Sequence, residues 1–591
     1  MRFHALACDY DGTLALRGRV DEKTLAALER LLATGRKLLL VTGRELDDLL
    51  TVFPDLHYFS WVVAENGALL YCPATREEKL LCPAPPAEFS EALRRRGVTN
   101  FRTGRSIVAT WRPHEVEALQ AIQELGLELQ VIFNKDAVMV LPTGVNKATG
   151  LTAVLGPLGL SPHEIVAVGD AENDHAFLSL CECSVAVANA LPALKERADV
   201  VTVGDHGDGV IELIEQLIDN DLTAWEPQLT RHHLLFGHAR DGSEVRLPPA
   251  GISLMIAGPS GSGKSTAATS FIERLAEQRY QYCIIDPEGD YDNLAGAVTV
   301  GGPQRSPDAD EVMQLLAKAE QHVVVNLVGM AIADRPPFFL SLLPRLQEMR
   351  AQTGRPHWLI VDEAHHLLPA SWEPGPLVMP GELKCVLYIT VHPNQVAPAV
   401  LAGVDAVLAV GAEPQETVQQ FLKAQDQARP GLPAEELQAG EVFLWWRAQE
   451  RGPVVVRPLP SQTERRRHIR KYAEGELPPD RSFYFRGPEG KLNLRAQNLI
   501  LFMQLADGVD DETWEFHLRA GDYSTWFRER IKNARMADEA VEIEQQTGVP
   551  ASESRALIRA LIERYYTLPA APPLPMPGTD AAPSRQPTAE K

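Results

Sequence analysis

The chain is poor in cysteine and lacks long apolar runs. Its 591 residues include seven scattered cysteines and no C-x-x-C pair, which argues against a disulfide framework or a zinc site and favours reduced thiols in a cytoplasmic protein. No apolar run approaches the roughly 20 residues that cross a bilayer, and no signal peptide precedes the first strand-like segment. The sequence therefore predicts no membrane partner.

Basic charge is also scarce. Lysine and arginine number 57 against 79 aspartates and glutamates, so the net charge is −22. This balance excludes a surface coated in basic residues for nucleic acid, although a local basic channel stays open. The best basic cluster is residues 465–471, for which a nucleic-acid contact and a solvated helix or linker are equally good interpretations.

Three glycines lie close together in one short stretch, residues 258–266 (GPSGSGKST). An apolar run that predicts a buried strand precedes the loop, and a run with helical spacing follows it, which is the context of a phosphate-binding loop. The loop N–H groups can point at phosphate oxygens, Lys264 can reach the outer phosphates, and the Ser265 hydroxyl can ligate Mg²⁺. The predicted nucleotide-binding residues are Gly258, Pro259, Ser260, Gly261, Ser262, Gly263, Lys264, Ser265 and Thr266.

A second apolar run, residues 358–361, ends in Asp362 and Glu363. In ATPases with such a loop, an acid at this place holds Mg²⁺ through water, and the adjacent Glu polarises the attacking water. Together with residues 285–291, these motifs resemble the RecA-like ATPases of the HerA and FtsK group over about residues 228–460. The resemblance implies ATP and Mg²⁺ as cofactors, a hexameric ring of identical chains, and DNA as a partner.

One departure from that group concerns its sensor. Members often carry a Gln-Arg-Pro-like sensor after the next strand, whereas this chain has TVHPNQ at residues 390–395. Thr390, His392 and Gln395 are the candidates for that role. The candidates for an arginine finger are Arg429, Arg447 and Arg451.

Near the N-terminus, acids, a hydroxyl and a cation each stand at the end of an apolar run or the start of a helix. They are Asp9 and Asp11, Thr42, Lys147, and Asp170 with Asp174. Because the carboxyl ends of parallel strands meet at one edge of a sheet, these groups are expected to converge there. Carboxylate oxygens suit Mg²⁺. The set predicts phosphoryl transfer, although Asp-x-Asp-Gly-Thr alone also fits a solvated turn.

With residues 65–67 (ENG), this set resembles the haloacid dehalogenase superfamily, in particular the Cof-like phosphatases, over about residues 1–218. The resemblance implies that Asp9 is a nucleophile that forms an aspartyl-phosphate. It implies that Asp11 protonates the leaving group and then activates water. Thr42 and Lys147 would hold the phosphoryl oxygens.

The same resemblance implies a Mg²⁺ site. Its ligands would be Asp9, Asp170 and the backbone carbonyl of Asp11, with Asp174 in support. In the resembled phosphatases the insertion at about 80–140 is a cap that selects the substrate. Here that cap is short, which favours a small phosphorylated substrate.

The predicted fold class is α/β: a Rossmann-like phosphatase core with a small α/β cap, a RecA-like P-loop ATPase domain and a C-terminal helical module. The predicted segments are 1–220 for the phosphatase, 228–460 for the ATPase, 461–490 for a linker, 491–567 for the helical domain and 568–591 for a disordered tail.

The leading hypothesis is a Mg²⁺-dependent phosphomonoester hydrolase for a small metabolite such as a sugar phosphate, fused to a ring ATPase that acts on DNA. The alternative is a nucleotide-regulated scaffold or switch, in which ATP binding controls assembly and the phosphatase without DNA translocation. A third interpretation makes nucleic-acid ends or nucleotides the phosphatase substrate.

Overall fold

The computed structural model describes residues 1–565 except 135, 260, 293, 373–382, 428–430, 449–451, 462–476, 478, 480, 532 and 547. Ser260, Arg429, Arg451, the basic cluster 465–471 and the tail 568–591 lie outside the described residues. The chain divides into two compact units, residues 1–461 and 462–591. Within the described part, no helix has the length and apolar character that a membrane crossing requires.

Residues 1–220 alternate strands and helices, as the apolar runs predicted. The strands are β1 (Ala5–Cys8), β2 (Lys37–Val41), β3 (Trp61–Ala64), β4 (Leu69–Cys72), β5 (Glu77–Leu80), β6 (Phe101–Thr103), β7 (Val108–Trp111), β8 (Leu129–Asn134), β9 (Ala137–Pro142), β10 (Ile165–Gly169), β11 (Cys183–Ala186) and β12 (Val200–Val201). The helices are α1 (Glu22–Ala33), α2 (Leu46–Val52), α3 (Ala87–Arg95), α4 (Glu115–Leu125), α5 (Lys147–Leu158), α6 (His175–Leu180), α7 (Pro192–Lys195) and α8 (His206–Asn220).

The main sheet has the order β12-β11-β10-β1-β2-β3-β4-β5. Strands β12 to β3 are parallel, and β4 and β5 are antiparallel additions. The central strands β1 and β10 are buried at every residue, as expected for parallel strands covered on both faces. Their carboxyl ends lead directly to Asp9 and Asp170, so the sheet brings these two acids to one edge.

The cap forms a separate antiparallel sheet of order β6-β7-β9-β8. Phe89 and Leu93 of α3 and Ile122 of α4 pack against Val108 and Val140 of this sheet. The structure thus has the small α/β cap that the sequence predicted.

Residues 228–461 contain a second α/β sheet in the same compact unit. Its strands are β13 (Leu234–Ala239), β14 (Glu244–Leu247), β15 (Leu254–Ala257), β16 (Tyr282–Asp286), β17 (Ala297–Gly301), β18 (His322–Asn326), β19 (Trp358–Val361), β20 (Val386–Thr390), β21 (Ala406–Ala409), β22 (Val442–Trp446) and β23 (Val454–Pro458). The helices are α9 (Lys264–Glu277), α10 (Ala309–Leu316), α11 (Arg335–Thr353), α12 (Ala364–Leu367), α13 (Pro398–Ala402) and α14 (Pro414–Lys423).

The order of this sheet is β14-β13-β23-β22-β21-β15-β20-β19-β16-β18-β17. Strands β21 to β17 are parallel, and the other strands are antiparallel. Strand β20 lies between β15, which leads to the glycine-rich loop, and β19, which leads to Asp362 and Glu363. The glycine-rich loop and the pair Asp362 and Glu363 therefore lie at one edge of the sheet, on either side of the end of β20.

The second unit contains a small hairpin and a set of helices. The elements are β24 (Phe483–Phe485), β25 (Leu494–Ala496), α15 (Leu499–Gly508), α16 (Asp511–Ala520), α17 (Asp522–Glu529), α18 (Ala534–Glu544) and α19 (Ala551–Tyr565). Phe483 and Phe485 pack in one core with Phe502, Trp514 and Tyr523. The strand β24 lies before residue 491, the predicted start of this module, and a three-residue strand is too short to show a periodic pattern.

Candidate active sites

Lys147 joins two acids of the N-terminal domain. Its Nζ atom lies 2.5 Å from Oδ1 of Asp9 and 2.5 Å from Oδ1 of Asp174. All three side chains are buried. Burial works to lower the pKa of Lys147, but the charges of Asp174 and Asp9 outweigh it and raise the value, so the ammonium is charged. Asn146 caps α5 through a capping box, which fixes the position of Lys147 as the first residue of the helix.

The third acid of this site is Asp170. Carboxylate oxygens of Asp9, Asp170 and Asp174 lie within 4.8 Å of one another. Asp174 Oδ2 accepts the N–H groups of Asp170 and Ala171 at 2.9 Å, and the Thr13 hydroxyl lies 3.4 Å from Asp170 Oδ1. Burial and the charges of Asp174 and Asp170 raise the pKa of Asp9 well above its usual range, although Lys147 opposes the shift. Converging carboxylates that repel one another fit a divalent cation with oxygen ligands.

Thr42 lies at the same edge, at the end of β2. Its side chain is buried, and its hydroxyl accepts the N–H of Arg44 at 3.1 Å. Asp11 is placed differently from Asp9. Both of its carboxylate oxygens are bound by Arg44, at 2.6 Å to Nε and 2.7 Å to Nη2. Sequence reasoning assigned no role to Arg44, although it follows Thr42 in the motif.

Glu65 connects the core to the cap. Its buried carboxylate accepts the N–H groups of Arg105 at 2.9 Å and Ser106 at 2.6 Å, in the turn between β6 and β7. Met139 of β9 also reaches the core: a Cβ placed on Gly43 would lie 2.9 Å from its Cε. The cap is therefore held over the edge that carries Thr42, which sequence periodicity could not show.

The glycine-rich loop of the second domain has the backbone that its sequence demands. Gly258, Gly261 and Gly263 have φ values of 151°, 78° and 101°. A Cβ at Gly258 would lie 2.1 Å from the carbonyl oxygen of Val410, so only glycine fits there. Lys264 begins α9, and its Nζ donates to the carbonyl of Pro259 at 2.9 Å.

Two acids mark the ends of neighbouring strands in this domain. Asp286, at the end of β16, accepts the backbone N–H groups of Glu288, Gly289, Asp290 and Tyr291 at 2.8–3.2 Å. This carboxylate shapes the loop that follows it. Asp362, after β19, is buried.

Glu363 follows Asp362 with a left-handed backbone, φ 44°. Such a conformation is strained for a residue with a side chain and recurs at functional sites. The predicted pair thus stands where β19 ends, one strand away from β15 and its glycine-rich loop.

The sheet of residues 1–220 and the sheet of residues 228–461 meet at the amino ends of their strands. His357, just before β19, contacts Glu164, just before β10, with Nε2 2.6 Å from Oε1. Its Nδ1 accepts the N–H of Gln281 at 2.7 Å, just before β16. The edges that carry the predicted site residues therefore lie at the opposite ends of these strands from the contact.

A second buried group, around Glu182, lies at the same contact between the two sheets, which is called the seam below. Glu182 is bound by Arg2 at 2.6 Å, by His163 at 2.7 Å and by the Tyr280 hydroxyl at 2.6 Å. Burial works to raise the pKa of Glu182, but the hydrogen bond and charge of His163 and the charge of Arg2 hold it well below its usual range. The rings of His163 and Tyr280 stack at 3.7 Å. Sequence reasoning missed this seam entirely.

The geometry can now be compared with known proteins. Residues 6–92 and 107–214 match the family description "haloacid dehalogenase-like hydrolase". A phosphoglycolate phosphatase of Halorubrum lacusprofundi is 34% identical over 223 residues, which are 36% of this chain and 96% of that protein. The chain belongs to the haloacid dehalogenase-like hydrolases.

Other relatives of this hydrolase domain are similar. A phosphoglycolate phosphatase of Methanosarcina acetivorans is 30% identical over 226 residues, 37% of this chain and 99% of that protein. The crystal structure of a haloacid dehalogenase-like hydrolase from Bacteroides thetaiotaomicron is 19% identical and covers 36% of this chain and 99% of that one, with a TM-score of 0.32.

The second domain also matches a family. Residues 239–348, which include the glycine-rich loop and Asp286, match the central domain of helicase HerA. Both resemblances stated from the sequence are thereby confirmed. The chain is an enzyme that combines a haloacid dehalogenase-like phosphatase domain with a HerA-like ATPase domain.

Proposed function

We propose that the N-terminal domain hydrolyses a small phosphomonoester through an aspartyl-phosphate. The observation that carries this is the bridge from Lys147 to Asp9 and Asp174 beside Asp170. Asp9 attacks phosphorus and the ester P–O bond breaks, after which water hydrolyses the acyl phosphate. Lys147 holds a positive charge next to the attacking oxygen, where it can also bind a phosphoryl oxygen.

Asp11 is the general acid and base in this proposal. Asp11 enters the first step protonated and gives its proton to the leaving oxygen. The resulting carboxylate, which the Arg44 fork binds through both oxygens, later takes a proton from the attacking water. Thr42 binds a phosphoryl oxygen at the same edge. Asp9, Asp170 and the Asp11 carbonyl would hold Mg²⁺, with Asp174 in support; bound there, the ion neutralises charge on the phosphoryl oxygens.

The substrate of this domain is proposed to be small, because the cap is short and is tied to the core through Glu65. Phosphoglycolate is the first candidate, since the curated relatives are phosphoglycolate phosphatases. Sugar phosphates and nucleotides are the competing classes. Phosphate release from all three is measured with the full chain and with Asp9→Asn. Hydrolysis that survives in Asp9→Asn rejects the proposed nucleophile.

For the second domain we propose ATP hydrolysis in which Lys264 binds the outer phosphates and Glu363 polarises water. Ser265 and Asp362 would hold Mg²⁺ between the loop and β19. The supporting observation is the glycine backbone of the loop, which leads into Lys264 at the start of α9. Lys264→Ala and Glu363→Gln should each abolish ATP turnover, and only Lys264→Ala should also weaken ATP binding. Unchanged turnover in both variants rejects the ATPase assignment.

The partners proposed for this domain are ATP, DNA and further copies of the chain in a ring. Their support is the match to the HerA central domain. Sedimentation with and without ATP measures the assembly, and ATP turnover with and without duplex DNA measures the coupling. A monomer under all conditions rejects the ring, and a DNA-independent rate rejects DNA as the partner.

The seam between the sheets favours a second candidate function, in which the nucleotide controls the phosphatase. His357 and Glu164 join the starts of β19 and β10, the strands that end at Asp362 and Asp170. A change at one edge therefore has a route to the other, along β19, through this contact and along β10. Phosphatase kinetics are measured with no nucleotide, with ADP and with a non-hydrolysable ATP analogue. A nucleotide effect that Lys264→Ala removes supports control, and identical kinetics reject it.

A further inference from the structure

A histidine beside Glu363 has no role in the function proposed so far. His365 Nδ1 lies 3.3 Å from Glu363 Oε2 and 3.1 Å from the Thr390 hydroxyl. We propose that His365 is a positioning residue for Glu363 and that Thr390 switches it according to whether a terminal phosphate is bound. The inference rests on the proposed ATP hydrolysis by this domain and names its sensor.

These three residues lie where the ATPase motifs converge. Thr390 ends β20, and it pairs in register with Ala257, the residue before the glycine-rich loop. His365 lies in α12, directly after Glu363 and Ala364. Thr390 is fully buried and the His365 side chain is 9% exposed, so water competes little for the contacts between them.

One nitrogen atom of His365 serves two partners. The Thr390 hydroxyl oxygen accepts the N–H of His392 at 3.1 Å, which leaves its own hydrogen to donate. When that hydrogen is donated to His365 Nδ1, the nitrogen carries no proton and offers nothing to Glu363. When Nδ1 carries the proton, it donates to the Glu363 carboxylate, and the Thr390 hydroxyl turns to another acceptor.

A terminal phosphate held by the neighbouring loop is such an acceptor. Binding of ATP would draw the Thr390 hydrogen away, favour the Nδ1–H tautomer of His365 and fix the Glu363 carboxylate for its work on water. The ring is neutral near pH 7, because burial, together with the charges of His366 and His392, lowers the pKa of His365 to about 4. A neutral imidazole has one N–H to place, so the two arrangements exclude each other.

This arrangement answers the question raised by the altered sensor sequence. Of the candidates in residues 390–395, Thr390 is the one in hydrogen-bond contact with a neighbour of Glu363. The strained backbone of Glu363, φ 44°, presents its carboxylate on a short turn that His365 can reach. ATP occupancy and the position of Glu363 are thereby linked through two side chains.

The test uses variants that keep or lose the N–H at the Nδ1 position. His365→Ala and His365→Gln should lower the kcat of ATP hydrolysis about ten- to a hundredfold, with ATP binding unchanged. His365→Asn, whose amide reaches the place of Nδ1, should retain more activity than His365→Gln. Thr390→Val should behave like His365→Ala, whereas Thr390→Ser should stay near the wild-type rate.

The chain supplies its own controls. His238→Ala alters an exposed histidine on β13 of the same domain and should leave ATP turnover unchanged. The phosphatase rate of each variant reports that the chain is folded. A wild-type kcat in His365→Ala, or a loss that appears only in ATP binding, overturns the inference. If Lys264→Ala and Glu363→Gln also leave turnover unchanged, the proposed ATPase itself fails, which is a different result.

Discussion

In the phosphatase domain the proposed catalytic side chains hold one another, whereas in the ATPase domain backbone contacts shape much of the site. Lys147 is bound by two buried carboxylates from separate elements. In the second domain, Lys264 and Ser262 donate to the carbonyl of Pro259, and Asp286 accepts backbone N–H groups. The comparison teaches that loss of Lys147 should remove both function and stability, while loss of a loop side chain such as Ser262 should cost little stability.

The sharpest test of this difference removes one side-chain contact from each site. Lys147→Met leaves Asp9 and Asp174 buried without their cation, and breaking a buried ion pair costs about 3–5 kcal/mol. Ser262→Ala loses the hydrogen bond from a loop hydroxyl to the carbonyl of Pro259, worth about 1 kcal/mol. Thermal unfolding of both variants measures the costs. Equal shifts in melting temperature would contradict the comparison.

Removal of magnesium is expected to have the next largest effect. A divalent cation among Asp9, Asp170 and Asp174 relieves their repulsion, so at a hundredfold excess over its Kd it should stabilise the phosphatase domain by about 2.7 kcal/mol. Chelation should abolish phosphate release, and added Mg²⁺ should restore it with a higher melting temperature. Asp170→Asn is the control that should lose the thermal shift; a full shift in this variant would exclude Asp170 as a ligand.

A smaller effect is expected at Arg44. Arg44→Lys keeps the charge but loses the fork that binds both oxygens of Asp11, so the phosphatase kcat should fall about tenfold. Arg102→Lys is the matched control, since Arg102 reaches Asp48 from the exposed cap surface. Steady-state kinetics separate the two. Similar rates for both variants would show that Asp11 needs no fork.

The smallest effect is expected in the pH dependence of stability that Glu182 contributes at the seam. The pKa of Glu182 is lower in the folded chain than in the unfolded chain, so its contribution to stability is present above the ordinary value of 4.5 and is lost as pH falls through the folded value. Each unit of that depression corresponds to about 1.4 kcal/mol. From pH 6 to pH 4 the melting temperature should therefore fall more in the wild type than in Glu182→Gln. Parallel curves would show that Glu182 is not held as an anion.

Much of the fold could be predicted from local pattern. Runs such as residues 165–168 are apolar throughout because their strand is buried on both faces, and Asp170 follows because the strand ends at an edge. The glycines at 258, 261 and 263 were recognisable because their backbone has no alternative residue. The hairpin at 483–496 was missed because its strands are too short to carry a period.

The residues of the candidate sites were also predicted only in part. Asp9 and Asp11 were predicted from one motif, but of these two acids Arg44 binds Asp11, which depends on how the loops after β1 and β2 approach each other. Thr390 was one of several candidate sensors in the sequence, and its contact with His365 is the reason that it is the one proposed. The identity and spacing of residues in the sequence predict which side chains are available to a site. The packing of the folded chain decides which of them are in contact.

The sequence by itself determined the two α/β domains, their strand-end motifs and the chemistry those motifs can perform, because each depends on residues close together in the chain. Only the tertiary structure decided that the two sheets meet at their amino ends, since the seam joins residues as distant as Ser161 and His357, separated by 196 positions. Such contacts leave no local periodicity, because they arise only after both domains have packed.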